Sequence, residues 1–244
     1  MKKIIFGFAV CALALQSCKK DNTDDAPVYT EPTIDVQNQY DDQAISKFLD
    51  NSYFDAQGNI KTFSTTSTDD DNETKLSTYP KETLSNGTVI IKRPNAQPLQ
   101  GKPIAATDSI RIMSTTTAYW ATNEDNEVKF RYGFLFSNDI YGSGNPQVDP
   151  IYYYVTEKFM ADHNNTNRNV YQIAGFHEAL QHFKSCEIDD SVTPNLQGVI
   201  IVPSRAAFAR NSYFQAPSYP SASLRNRTMV FNFQVYRSIT RPKP

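Results

Sequence analysis

Past its first seventeen residues this 244-residue chain has no apolar run approaching the ~20 residues that cross a bilayer. Cysteine is scarce at three residues, and tryptophan occurs once, as Trp120. With so few thiols a disulfide-stapled scaffold is excluded. Excess positive charge is also missing. The formal net charge is −2 and no basic run interrupts the chain, which argues against nucleic acid as a partner. No internal repeat is found. Metal-ligating patterns are incomplete. Asp69, Asp70 and Asp71 form an acidic triplet without EF-hand spacing or its glycine, so they read as an exposed loop. His177, Glu178 and His182 make H-E-x-x-x-H, one residue longer than the zinc-protease pattern. Histidines five apart stand about 140° from one another on a helix and do not share a metal from one face. Gly142-Ser143-Gly144-Asn145-Pro146 is glycine-rich, but proline stands where a phosphate loop needs lysine and a helix, so it reads as a connection between strands. No metal and no cofactor is expected.

What is present begins at the amino terminus. Lys2 and Lys3 precede the run IIFGFAVCALAL, which ends at LQSC with Cys18. This run is too short to span a membrane. It resembles a bacterial lipoprotein signal. The resemblance implies removal of residues 1–17, Cys11 among them, and acylation of Cys18 by palmitate-type chains. Cys186 would then be the one thiol left, and nothing in SCEID suggests a nucleophile. Loss of Lys2 and Lys3 takes the charge from −2 to about −4. Lys19 rather than aspartate follows the acylated position, which by resemblance to lipoprotein sorting implies the outer membrane. Acidic residues close behind also resemble the tethers of surface-exported lipoproteins. Residues 18–40 are polar and acid-bearing, with little to bury, and read as a flexible tether.

Residues 41–80 read as a short helix and a polar loop. In Asp41–Asn51, Ile45, Phe48 and Leu49 sit at helical spacing, with Asp41 and Asp42 suited to the N-terminus. The Ser/Thr/Asp-rich stretch around 64–74 reads as loop. From 81 to 244 the pattern is strand-rich. Asn86-Gly87 signals a tight turn before TVIIKRP. Asp108–Thr122 alternates as a long strand, Asn123–Asn126 turns, and VKFRYGFLF returns. IYYYV at 151–155 reads as a further strand. A helix is expected over Phe176–Lys184, then GVIIV and TMVFNFQVYRSI as the last strands. Many antiparallel strands with one short helix place the chain in the α+β class.

The most informative stretch is VYQIAGFHEALQHFKSCEIDDSVTPNLQGVIIVPSRAAFA, residues 170–209. A strand end (Val170, Ile173) meets Gly175, an amphipathic helix opens at Phe176, and a buried strand ends in Pro203-Ser204. Ile173, Gly175, Phe176, Glu178, Ala179 and Leu180, with Pro203, Ser204, Ala207 and Phe208, resemble the central pattern of FKBP-type peptidyl-prolyl isomerases. The resemblance implies an antiparallel sheet wrapped around one short helix, here preceded by a small N-terminal helix. It also implies an aromatic pocket for a proline ring. By position Phe176 would be the pocket floor, Ile173 the backbone N–H that holds the substrate carbonyl, and Phe208 the place of a tyrosine. Phe231 and Phe136 would be pocket aromatics. The sequence FSND puts Ser137 where an aspartate is expected, or displaces the acid to Asp139. Ala209 replaces a glycine, and LRNRT stands where a proline-rich segment belongs.

No nucleophile is needed for such chemistry. Rotation about an X–Pro amide faces a barrier of ~18–20 kcal/mol from its partial double bond. An apolar pocket with one or two oriented donors favours the twisted amide over the planar one. Two principal functions fit these residues. One is an isomerase acting on proline-containing polypeptides outside the inner membrane. The other is a non-catalytic binding module attached to an outer-membrane or secretion complex; Ser137 and Phe208 favour it. A glycan-binding surface lipoprotein is a third, and it predicts exposed aromatic platforms.

Overall fold

The computed structural model describes residues 30–141, 144–211 and 223–241. The signal, Cys18 and most of the expected tether lie outside these residues. The chain divides into Met1–Pro32 and Thr33–Pro244, and every helix and strand among the described residues belongs to the second unit. No helix among the described residues is long and apolar enough to cross a membrane.

Helix α1 runs Ile34–Asp50, so it starts inside the expected tether. Thr33 caps it, its Oγ1 accepting from Val36 N at 3.3 Å, and Asp35 sits in the positive first turn. Its buried stripe is Gln37, Asp41, Ala44, Ile45 and Leu49. Two polar residues on that stripe hide it from a hydrophobic pattern. Asp41 is therefore a buried mid-helix residue and not an N-terminal acid.

Strands β1 (Ser52–Phe54) and β2 (Ile60–Thr62) form a small hairpin. The loop after it is mostly exposed, but Asp70 turns inward and its Oδ2 accepts from Ser64 N at 2.7 Å. Strands β3 (Lys81–Thr83) and β4 (Val89–Lys92) are joined through Asn86-Gly87, with Gly87 at φ +87° and Asn86 Oδ1 accepting from Thr88 N. β5 (Lys102–Pro103) precedes the long β6 (Asp108–Glu124). Asp125 and Asn126, at φ 55° and 62°, turn the chain into β7 (Glu127–Asn138), a two-residue turn whose twist suits a hairpin. β8 (Gln147–Val148) pairs with β6. α2 (Glu157–Asp162) and α3 (Ala174–Leu180) follow. β9 (Lys184–Ser185) pairs with β5, and β10 (Gly198–Val202) and β11 (Arg227–Thr240) complete the fold.

The main sheet is antiparallel, ordered β3-β4-β10-β11-β6-β7 with β8 beside β6. Both its faces are covered. Ile200, Val202, Phe231, Phe233 and Val235 join α3 in one cluster, while Val199, Ile201, Val89, Ile91 and Val230 pack with Ile45 and Leu49 of α1 in another. This explains GVIIV, buried along its whole length with no alternation. The structure is thus mixed α and β, mostly antiparallel, with few helices.

Three expected elements differ. Ile151–Val155 is a turn, not a strand. Asp149 lies at φ 46°, and Tyr153 N and Tyr154 N both donate to Pro150 O, at 2.7 and 2.9 Å. This curl buries Tyr152 and Tyr153 together, which a strand, sending neighbours to opposite faces, would not do. Residues around Val170 form a 3-10 turn, Arg168–Val170, in place of a strand end. The helix begins two residues before Phe176 and stops at Leu180, because Lys184 is taken by β9.

Candidate functional site

The motif residues meet where α3 lies on the sheet. Gly175 permits the approach. A Cβ there would fall 2.6 Å from both Thr88 Oγ1 and Val202 Cγ1, so any side chain would push the helix away. Phe176, in the first turn, stacks on Phe231 of β11 with centroids 4.1 Å apart and planes at 26°. Phe233 meets its edge at 6.1 Å. Phe136 and Phe208 belong to the same cluster. Four of the expected pocket aromatics are therefore brought together.

Among the described residues they do not surround an opening. The ring of Tyr152 sits among them, 5.6 Å from Phe176, 5.5 Å from Phe231 and 5.9 Å from Phe136, and it is fully buried. Its hydroxyl is 3.0 Å from Ser114 Oγ, and burial pushes the phenol well above its ordinary range. The Ile173 amide, expected to hold a substrate carbonyl, donates to Tyr152 O at 2.8 Å. The same residue thus fills the aromatic space and occupies the donor. Phe176, Phe231 and Ile173 have no measurable exposure.

Asp139 is next to this cluster and buried. Its N–H donates to Ser114 O at 2.9 Å, its Oδ1 accepts from Gln147 Nε2, and its Oδ2 has no hydrogen-bond partner. Burial pushes its carboxyl up to about 6, with the hydrogen bonds acting in the opposite direction. Ser137, at the expected aspartate position, is also buried and helps satisfy Tyr152. Ala209, standing in place of glycine, lies at φ 48°, the left-handed region that favours glycine.

Sequence reasoning missed Tyr152 and Asp41. Asp41 reaches the Pro203-Ser204 turn from α1. Its Oδ2 accepts from Ser204 N at 2.8 Å and Ser204 Oγ at 2.6 Å, and its Oδ1 from Gln37 Nε2 at 3.0 Å. Burial raises its carboxyl, opposed by these bonds. The available signal was an acid four and eight residues before Ile45 and Leu49, on the buried stripe itself. For Tyr152 it was Asp149-Pro150, a turn pair directly ahead of the tyrosines. The α3 histidines go to separate partners, His177 Nε2 to Ala106 O at 2.9 Å and His182 Nδ1 to Glu82 Oε2 at 3.0 Å. Among the described residues no three His, Cys, Asp or Glu side chains are grouped to hold a metal.

No family model matches this chain, and no curated protein matches it. Among solved structures, FkpA from Escherichia coli aligns with TM-score 0.37 and 18% identity, over 66% of this chain and 53% of that one. The match therefore spans about half the length of that protein. A peptidyl-prolyl cis-trans isomerase from Pseudomonas syringae pv. tomato aligns with TM-score 0.36 and 11% identity, over 86% of this chain and 98% of that one. Likeness of this degree carries no argument about the activity of this chain.

Proposed function

We propose that this chain is a lipid-anchored outer-membrane protein whose FKBP-like domain binds a protein partner and does not isomerise prolyl bonds. One observation carries the second half of this reading: Tyr152 fills the space between Phe176, Phe231 and Phe136 while its carbonyl takes the Ile173 N–H. Prolyl isomerisation requires an apolar pocket and a free donor for the twisted amide. Here both are consumed inside the protein. Phe208 adds no hydroxyl, and Ser137 no carboxylate. The FKBP-like half rests on the motif residues Ile173, Gly175, Phe176, Pro203, Ser204 and Phe208, and on their convergence where α3 meets the sheet. The anchor rests on the run ending at Cys18, and the outer-membrane address on Lys19.

A cis-to-trans assay on a short X–Pro peptide tests the catalytic half. The full chain in detergent is expected to leave the uncatalysed rate unchanged. Acceleration that disappears in Phe176→Leu would replace this reading with the isomerase, which the convergence of Phe136, Phe176, Phe208 and Phe231 favours. Acyl labelling of the wild type and of Cys18→Ser tests the anchor: label is expected on the first and absent from the second.

A further inference from the structure

The main sheet ends in two edge strands, β3 and β7, and they are finished differently. β7 is long, but its pairing with β6 slips twice, between Thr116 and Thr117 and between Ala118 and Trp120. Tyr132, at φ 48°, sits in the second slip, and its carbonyl accepts from Arg227 Nη1 at 2.7 Å. Bulges and occupied carbonyls keep another strand off an edge. β3 has neither device. Its register with β4 is regular: Lys81 opposite Ile91, Glu82 opposite Ile90 and Thr83 opposite Val89.

The Asn86-Gly87 turn decides which backbone groups of β3 are free. Leu84 N donates to Thr88 O at 2.9 Å, so Leu84 turns its backbone groups toward β4. By the alternation of an antiparallel ladder Glu82 does the same, while Lys81 and Thr83 turn an N–H and a carbonyl each outward. Among the described residues nothing outside the ladder bonds to these four groups. All three residues of β3 are exposed. Such a row of unpaired groups has one natural complement, the main chain of another strand.

Three residues make a short edge, which the backbone alone would hold weakly. The side chains supply more. Lys81 and Thr83 border a cleft of about 270 Å³ between β3 and α1. Ile45, Leu49 and Val89 give it an apolar wall, and Asp42 and Arg205 satisfy each other at 2.7 Å. Glu82 points to the opposite face, where it meets His182. Lys81 forms no ion pair among the described residues. A strand added here in the manner of this sheet is antiparallel. The residues opposite Lys81 and Thr83 then take their outward groups, and both side chains face the cleft. Chain direction puts the residue opposite Thr83 first. It faces the apolar wall and suits an aliphatic side chain. Two residues later, the one opposite Lys81 suits a carboxylate. We propose that β3 and this cleft bind an extended segment of a partner protein by strand addition, with an aliphatic residue opposite Thr83 and an acidic one opposite Lys81. The proposal rests on the reading that this domain binds a protein partner, and not on the absence of isomerase activity.

Fluorescence anisotropy and residue-resolved hydrogen exchange on the full chain in detergent test it. The probe is a labelled peptide without proline, S-T-V-T-E-T-S, which gives the α3 face no prolyl bond to act on. Binding is expected, with slowed exchange at the Lys81 and Thr83 amides. The same peptide N-methylated at V and E keeps every side chain and loses both pairing N–H groups, and it is expected to bind about tenfold more weakly or worse. Lys81→Glu, at an exposed position, is expected to weaken this peptide and to favour S-T-V-T-K-T-S. No binding at about 1 mM peptide overturns the proposal. So does binding that N-methylation leaves intact, or protection confined to β7. Isomerisation of an X–Pro peptide by a chain that still binds S-T-V-T-E-T-S at β3 would overturn the non-catalytic reading and support this surface.

Discussion

The two faces of the main sheet are closed by different means. On the α3 face the contacts are almost wholly apolar and aromatic, and the residues that resemble an isomerase pocket lie there, filled by Tyr152. On the α1 face, polar anchors supplement the apolar cluster. Asp41 holds Ser204, Gln37 donates to Ala121 O at 3.1 Å, and Arg205 bridges Asn86 O, Asn38 O and Asp42. That face leaves a cleft beside the helix. Aromatic packing tolerates no gap, whereas a helix fastened at particular points can leave space between them. The recognisable motif therefore marks the closed face, and the open one lies outside it.

The sharpest way to break this comparison is to empty the closed face. Phe176→Ala is expected to destabilise by about 3–5 kcal/mol, the range for a buried phenylalanine. Denaturant unfolding of the purified protein would measure it. A loss below about 1 kcal/mol would mean that the α3 face is already loose. On the α1 face, Asp41→Ala strips the Ser204 N–H and hydroxyl of their acceptor. A loss of about 2–3 kcal/mol is expected, from unsatisfied buried donors. Asp41→Asn keeps one acceptor oxygen and is expected to cost less. Equal costs for the two would show that the carboxylate is not what fastens α1.

Asp139 sharpens the contrast through pH. Its folded carboxyl titrates at about 6, above the ordinary 3.8. A raised carboxyl favours the folded state fully below the ordinary value, and that contribution is lost as pH rises through the folded one. Stability is therefore expected to fall between about pH 4 and pH 6, by on the order of 2 kcal/mol from this group. Asp139→Asn should flatten that part of the profile. An unchanged slope would assign the dependence to other groups. The smallest effect expected is that of Ala209→Gly. It relieves the left-handed backbone at φ 48° but loosens the unfolded chain, leaving a gain below about 1 kcal/mol in the same unfolding assay.

Much of this architecture was legible from local pattern. The Asn86-Gly87 turn, the β6–β7 hairpin, the continuous burial of β10 and the presence of a short helix around Phe176 each follow from residues close in sequence. What was not legible depends on distant partners. The first turn of α1 looks like tether and Asp41 like an N-terminal acid because Gln37 and Asp41 are polar; their burial is made favourable by distant partners, Ala121 O for Gln37 and the Ser204 turn for Asp41. The tyrosines at 152–154 look like strand because aromatic runs suit strands. Pro150 overrides that by gathering two N–H groups onto its carbonyl. Phe136, Phe176, Phe208 and Phe231, grouped by the motif, do meet in one buried cluster. The closure of that cluster was not legible, since Tyr152 lies outside the motif and matches none of its positions. The cleft on the other face draws on five separate segments, and no short pattern announces it.

The closure of the α3 face is the central claim, and hydrogen exchange at the Ile173 amide tests it most directly. Donation to Tyr152 O inside a fully buried cluster predicts protection comparable to the amides of β10 and β11. Exchange at the rate of an exposed loop would mean that this N–H is free, that Tyr152 leaves the pocket readily, and that the site is open to a prolyl substrate.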